Sequence, residues 1–214
     1  RYHHKDLGIM DPGKYMNLLE ETKLSHYLDL YVFEQVCKTL HKWEIEGLPM
    51  VPISVNFAGS TLRQENIVDK MLLLIEKYHV LCEYLEVEVS ESNLDMNQEM
   101  LAETSSKIRK ANVRVILDHF GAKTSSFSIL SIMEFDGLKL DESLITNLVG
   151  NSRSRIVSKA VIDICRQLGA AVLAEGVETQ DQLNVLNELD CDYAQGTLFN
   201  KPIKVETFEV RYLK

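Results

Sequence analysis

The sequence predicts an α/β fold, and within that class a parallel (β/α) barrel that is short of strands toward its N-terminal end. Three observations carry this. Six strand-like segments alternate with mostly helical ones across the chain, the pattern of βα units on a parallel sheet. No GxGxxG or Walker pattern opens any helix, so the nucleotide fingerprints of an open, doubly wound sheet are missing. A polar residue also stands at or near each strand end: Asn56, Glu88, Asp118, Asp141, Glu175 and Gln195. In a barrel those ends converge on one face, where active sites are built, and a complete barrel takes eight strands.

The elements follow in order. Asp11-Pro12 reads as an N-cap with a proline in the first helical position, opening a helix through about Glu21. A second helix starts at Ser25 and carries Leu28, Val32, Phe33, Val36 and Leu40 toward a core, with Cys37 on the same face. VPISVNF (51–57) is rich in β-branched residues and reads as a strand, followed by a helix from about Glu65 to Tyr78. YLEVEVS (84–90) alternates as a strand, a polar helix covers roughly 96–111, and NVRVILD (112–118) is the next strand. GLKLD (137–141) is a short strand, Ser154–Leu168 a helix, and AAVLAE (170–175) a strand. Gln180–Leu189 is helical, and a last short strand leads to Gln195. No repeat, proline-rich linker or low-complexity run interrupts the series, so residues 1–214 read as a single domain.

With 45% hydrophobic and 26% charged residues, the chain has globular composition, not that of a disordered segment or a disulfide scaffold. No apolar run approaches the roughly 20 residues that span a bilayer, and the polar opening RYHHKDLGIM carries no signal-peptide core. Without an initiator Met, the chain is expected to begin inside a longer, multidomain protein, as a cytoplasmic piece. The net charge of −9 argues against binding a DNA backbone, yet acidic side chains can hold cations that in turn hold phosphate. Cys37, Cys82, Cys165 and Cys191 form no CxxC pair and are expected to be reduced, mostly buried thiols.

Converging carboxylates and an amide oxygen make a site for hard cations such as Mg²⁺ or Mn²⁺. Two such ions about 3.5–4 Å apart can clamp a phosphodiester and activate a water. Lys139 lies two residues before Asp141 and so points to the same side of the strand, where it can meet phosphate charge or orient that water. Taken singly, each acid has a plainer explanation. Asp141 can cap a helix over Glu142–Asn147, and Glu178 can complement the start of the helix after it. His3, His4 and His79 sit in polar settings, and Leu72–Ile75 suits a core face. Recurrence at successive strand ends is what favours a functional site.

At these positions the sequence resembles the EAL-domain family, the bacterial cyclic di-GMP phosphodiesterases. RYHHKDLGIMDPGKYMNLLEETKL is similar to the segment after the family's Glu-Ala-Leu signature, and SVNFAGSTL to its Asn segment. EVEVSES, LDHFGAKTSSFSIL, GLKLD, AEGVET and QGTLFNKPI resemble its later motifs in the same order. The resemblance implies a modified TIM barrel of the EAL type with one antiparallel strand near the start, its first strand region missing or truncated here. It implies Asn56, Glu88, Asp118 and position 119 as metal ligands of a two-metal site, and Lys139, Glu175 and Gln195 as catalytic residues. Arg1 and Glu178 would contact the ligand, and Glu91 would anchor the loop after Phe120.

Several positions depart from the family pattern. The signature Glu would lie four residues before Arg1. His119 stands where the family has a second Asp; a neutral imidazole can bind Mn²⁺ or Zn²⁺ but disfavours Mg²⁺. The loop Gly121-Ala122-Lys123 lacks the family's second Gly, and Lys123 could meet a phosphate as a point charge. Lys5 replaces a proline and Lys23 a glycine, both read as structural changes. Two readings stay open. One is a metal-dependent phosphodiesterase that opens cyclic di-GMP to linear pGpG, with activity weakened at His119. The other is a catalytically inactive EAL domain serving as a cyclic di-GMP receptor or a protein-interaction and regulatory module. The implied partners are cyclic di-GMP and an attached sensory or GGDEF domain, with a homodimer left open.

Overall fold

The computed structural model describes residues 2–6, 8–10, 13, 15–90, 98–122 and 127–214. Two short strands, β1 (Tyr2–His4) and β2 (Gly8–Met10), pair antiparallel. Helix α1 (Met16–Glu21) begins later than the Asp11-Pro12 signal predicts; those two residues lie outside the described ones. Helix α2 (Ser25–Ile45) starts where expected and buries Ser25, Asp29, Phe33, Cys37, Leu40 and Trp43, spaced to share one face. Leu28 and Val36 are only half-buried, and Val32 is exposed, corrections to the expected inner face.

Six parallel strands follow: β3 (Ile53–Phe57), β4 (Leu85–Ser90), β5 (Arg114–Phe120), β6 (Gly137–Leu140), β7 (Ala171–Ala174) and β8 (Tyr193–Ala194). They line up in sequence order, so among the described residues β3 and β8 are the two edges and the sheet does not close. The connecting helices are α3 (Gly59–Leu62), α4 (Ile67–Tyr78), α5 (Gln98–Lys110), α6 (Ser128–Ile132), α7 (Glu142–Thr146), α8 (Ser152–Leu168) and α9 (Gln180–Glu188). The helix expected from about Glu65 to Tyr78 is α4, and the four-residue α3 before it was not expected. Helix α8 starts two residues earlier than predicted, where the Asn151 side chain accepts from the N–H groups of Arg153 and Ser154, and it ends at left-handed Gly169. A capping box of Thr179 and Gln182 opens α9.

Strand alternation sorts the side chains. Val55, Phe57, Leu85, Val87, Val89, Val115, Leu117, Leu138 and Leu140 are buried in the apolar core. The alternate set, including Ser54, Asn56, Glu86, Glu88, Arg114 and Asp118, lines a cavity that receives residues from all six strands, so the sheet is curved around it. The chain ends in α10 (Val205–Phe208) and a π-helical turn over Glu209–Leu213. The buried Glu209 carboxylate accepts from Trp43 Nε1 and Lys42 Nζ, each at 2.8 Å, and ties this segment back to α2. All four cysteines are free, Cys37 and Cys165 buried and the others half-buried. Among the described residues no helix is long and apolar enough to cross a membrane.

Candidate functional site

The cavity measures about 1190 Å³, and Asn56, Glu88, Asp118, His119, Lys139, Glu175 and Gln195 all line it. Parallel register explains much of this. Asn56 pairs with Glu88 across β3 and β4, so both project from one level of the sheet. Glu88 pairs with Ile116, which places Asp118 two residues nearer the mouth. The ladders then continue past the strands: the Glu175 N–H donates to the Leu140 carbonyl and the Gln195 N–H to the Ala174 carbonyl. Gly196 lets the chain turn immediately after Gln195, since a Cβ there would overlap the Val177 backbone.

One irregularity shapes the site. Leu117 pairs with Leu138 but Phe120 with Leu140, so β5 carries an extra residue beside β6. His119 sits in that bulge with φ of 58°, and its N–H donates to Asp118 Oδ1 at 2.9 Å. Adjacent residues of a regular strand point to opposite faces; the bulge breaks that rule and brings both Asp118 and His119 to the mouth.

Lys139 is the electrostatic centre. Its buried ammonium lies 2.7 Å from Glu88 Oε1, 3.1 Å from Glu175 Oε1 and 3.7 Å from Asp118 Oδ1. Burial works against the Lys139 charge, but Glu88, Asp118 and Glu175 outweigh it and hold its pKa above the ordinary value. Burial pushes the Glu175 carboxyl up, aided by the Asp118 charge and opposed by Lys139 and His119. The imidazole of His119 lies among carboxylates as well. One ring nitrogen is 3.4 Å from Asp118 Oδ2, and the other is 3.3 Å from Asp141 Oδ2 and 3.6 Å from Glu175 Oε2.

Asp141 does two things. Its Oδ1 caps α7 by accepting from the Ser143 N–H, as a plain cap reading expects, while Oδ2 faces His119. Burial raises its carboxyl pKa, yet the Ser143 hydrogen bonds and His119 more than offset this and leave it below the ordinary value. Glu178 is exposed and is not among the cavity-lining residues; its N–H donates to Gln182 Oε1 at the start of α9. Arg1, Glu91 and Lys123 lie outside the described residues.

The donor set fits a divalent cation. Asp118, His119 and Glu175 each offer one ligand atom, and these atoms lie within 4.8 Å of one another. Glu88 is instead engaged by Lys139, with Asn56 exposed beside it. Sequence reasoning overlooked a second polar layer deeper in the cavity, where Glu86 accepts from Ser54 Oγ at 2.6 Å and pairs with Arg114 at 2.7 Å. Its signal was present, because these residues lie two positions before Asn56, Glu88 and Ile116 and share their strand face.

Comparison with known proteins agrees with the geometry. The family described as EAL domain matches residues 1–202. The chain is 30% identical over 209 residues to the cyclic di-GMP phosphodiesterase NbdA of Pseudomonas aeruginosa, covering 98% of this chain and 27% of NbdA. It is 30% identical over 199 residues to the probable cyclic di-GMP phosphodiesterase PdeA of Escherichia coli, covering 92% of this chain and 27% of that protein. The chain therefore spans about a quarter of the length of these curated relatives. Among solved structures it resembles the PaMucR phosphodiesterase in complex with c-di-GMP, with a TM-score of 0.89 and 26% identity over 97% of this chain and 84% of that one. The EAL domain of Mycobacterium smegmatis DcpA gives a TM-score of 0.82 and 26% identity over 87% of this chain and 84% of that one.

Proposed function

The chain belongs to the EAL domain family, and we propose that it binds cyclic di-GMP at the cavity mouth and hydrolyses it, with a divalent cation, to linear pGpG. The observation that carries this is the Lys139 ammonium, held by Glu88, Glu175 and Asp118 beside a donor group of Asp118, His119 and Glu175. Asn56, Glu88, Asp118 and His119 are the proposed ligands of a two-ion centre taking Mg²⁺ or Mn²⁺. When bound, such ions polarise a phosphodiester and acidify water. Lys139 offers its charge to the phosphate oxygens or orients the attacking water through a hydrogen bond. Glu175, its carboxyl raised by burial, acts at this centre together with Asp118 and His119, whose ligand atoms lie within 4.8 Å of its own. Gln195 supports the site from the β8 end. Arg1 and Glu178 are proposed ligand contacts, and Glu91 a support for the loop after Phe120. The greater length of the relatives supports a domain working within a larger protein; its proposed setting is the cytoplasm, next to a sensory or GGDEF domain.

A second reading, binding without turnover, is favoured by the engagement of Glu88 with Lys139 and by His119 in place of a carboxylate. The test is chromatography of cyclic di-GMP after incubation with the protein and Mn²⁺. Appearance of pGpG, abolished by Glu88→Ala, supports hydrolysis. Unchanged substrate at high protein concentration refutes it, and calorimetric titration with cyclic di-GMP then decides whether the domain is a receptor.

A further inference from the structure

We propose that His119 makes the cation position at the cavity mouth selective for ions that accept an imidazole nitrogen, Mn²⁺ and above all Zn²⁺, over Mg²⁺. This deepens the proposed function, since it rests on the mouth being a cation site. Three features support it. The ligand atoms close enough to share one ion are two carboxylate oxygens and one imidazole nitrogen, from Asp118, Glu175 and His119. Glu88, a third neighbouring acid that would have made an all-oxygen set, is held at 2.7 Å by Lys139, whereas Glu175 meets Lys139 through Oε1 and keeps Oε2 toward His119. The ring is placed by backbone as well as by side-chain rotation. The β5 bulge and the left-handed His119 conformation aim it at the same point as Asp118.

Mg²⁺ prefers an octahedral shell of oxygens and sheds water reluctantly, whereas imidazole suits Zn²⁺ and its transition-metal neighbours. A mixed nitrogen and oxygen set with one fewer negative charge therefore costs Mg²⁺ more than it costs Zn²⁺. The plainer explanation is that His119 only balances the charge of Asp118, Asp141 and Glu175. The two explanations differ in an observable. Replacing a mere counter-charge by an acid tightens all divalent ions alike, while removing a nitrogen ligand changes their ratio.

The experiment is equilibrium titration of the full chain and of His119→Asp with ZnCl₂, MnCl₂ and MgCl₂ alone, without nucleotide. Aspartate tolerates the left-handed backbone at this position, so the variant should fold. His119→Asn, which keeps that backbone preference without adding charge, serves as a second variant. The expected result is that both variants lower the ratio of Zn²⁺ to Mg²⁺ affinity by about tenfold or more. The His119 ring ¹⁵N resonances should also shift on Zn²⁺ addition to the unaltered protein. An unchanged ratio in both variants, or Zn²⁺ binding that leaves those resonances in place, overturns the proposal. Turnover is read separately: pGpG formation with an unaltered ratio refutes the selectivity alone, and selectivity without pGpG refutes the hydrolytic reading alone.

Discussion

Replacing Lys139 with Met keeps an unbranched apolar stem, one atom shorter, and removes the charge that holds the site together. Glu88, Asp118 and Glu175 would then face one another, the first two almost fully buried, with no ammonium between them. At an effective dielectric near 20, the attraction across the 2.7 Å pair to Glu88 is about 6 kcal/mol, and across the 3.7 Å pair to Asp118 about 4.5 kcal/mol. Much of this is offset by the desolvation of the lysine itself. The net cost of removing one partner from a buried charge cluster is about 3–5 kcal/mol. For a chain of this length, that lowers the melting temperature by roughly 10 °C. The assay is thermal unfolding followed by circular dichroism, at pH 7 in EDTA. The pH dependence has a definite sign. Lys139 now works against the raised pKa of Glu175, so losing the cation raises that carboxyl further; the variant's deficit is full above the raised value and shrinks as pH falls through it. Added Mn²⁺ should stabilise the variant more than the unaltered protein, because the ion supplies the missing positive charge to the folded state alone. A melt within about 1 °C of the unaltered protein at pH 7, or a deficit that stays constant to pH 5, would refute the cluster as described.

Three further outcomes are expected. Glu34 on α2 accepts from Lys77 Nζ and Tyr78 Oη on α4, which lower its carboxyl to about 2. The stability it lends is present above the ordinary value and is lost as pH falls toward about 2, so a carboxyl ¹³C titration with its midpoint at the ordinary 4.5 would contradict the structure. Asp29 is buried on α2 and accepts from the Ala58 N–H and Thr61 Oγ1 at the start of α3, two residues beyond Asn56. Asp29→Ala leaves both donors without that acceptor and should cost about 1–3 kcal/mol by urea unfolding; no measurable loss would mean that water replaces it. Exposed Lys23 has φ of 58°, so Lys23→Gly should relieve about 1–2 kcal/mol of left-handed strain. Part of that gain is returned as unfolded-chain entropy, for a net rise of a few degrees in melting temperature. A lower melting temperature would show that the Lys23 side chain contributes something the backbone strain conceals.

Most of the architecture was legible in the chain itself because its determinants are local. β-branched alternation in SVNF, EVEV and RVIL marks strands within a few residues of sequence; the Asn151 cap is as local but was not read, which is why α8 starts two residues earlier than predicted. The repetition of a polar residue after each strand located the mouth, because a parallel sheet brings all strand ends to one side. The short hairpin β1–β2 and the helix α3 after Asn56 are not legible for the opposite reason: strands of three residues and a four-residue helix carry too little periodicity to read.

What the sequence determined by itself is the family, the order of elements and the identity of the residues at the mouth. Which of those residues come close enough to share an ion was decided only in three dimensions. One extra residue in β5 turns His119 toward Asp118, Asp141 and Glu175, and the same fold delivers Lys139 to Glu88. Strand register and a single bulge set distances of about 3 Å between residues far apart in the chain, and no local pattern encodes a distance.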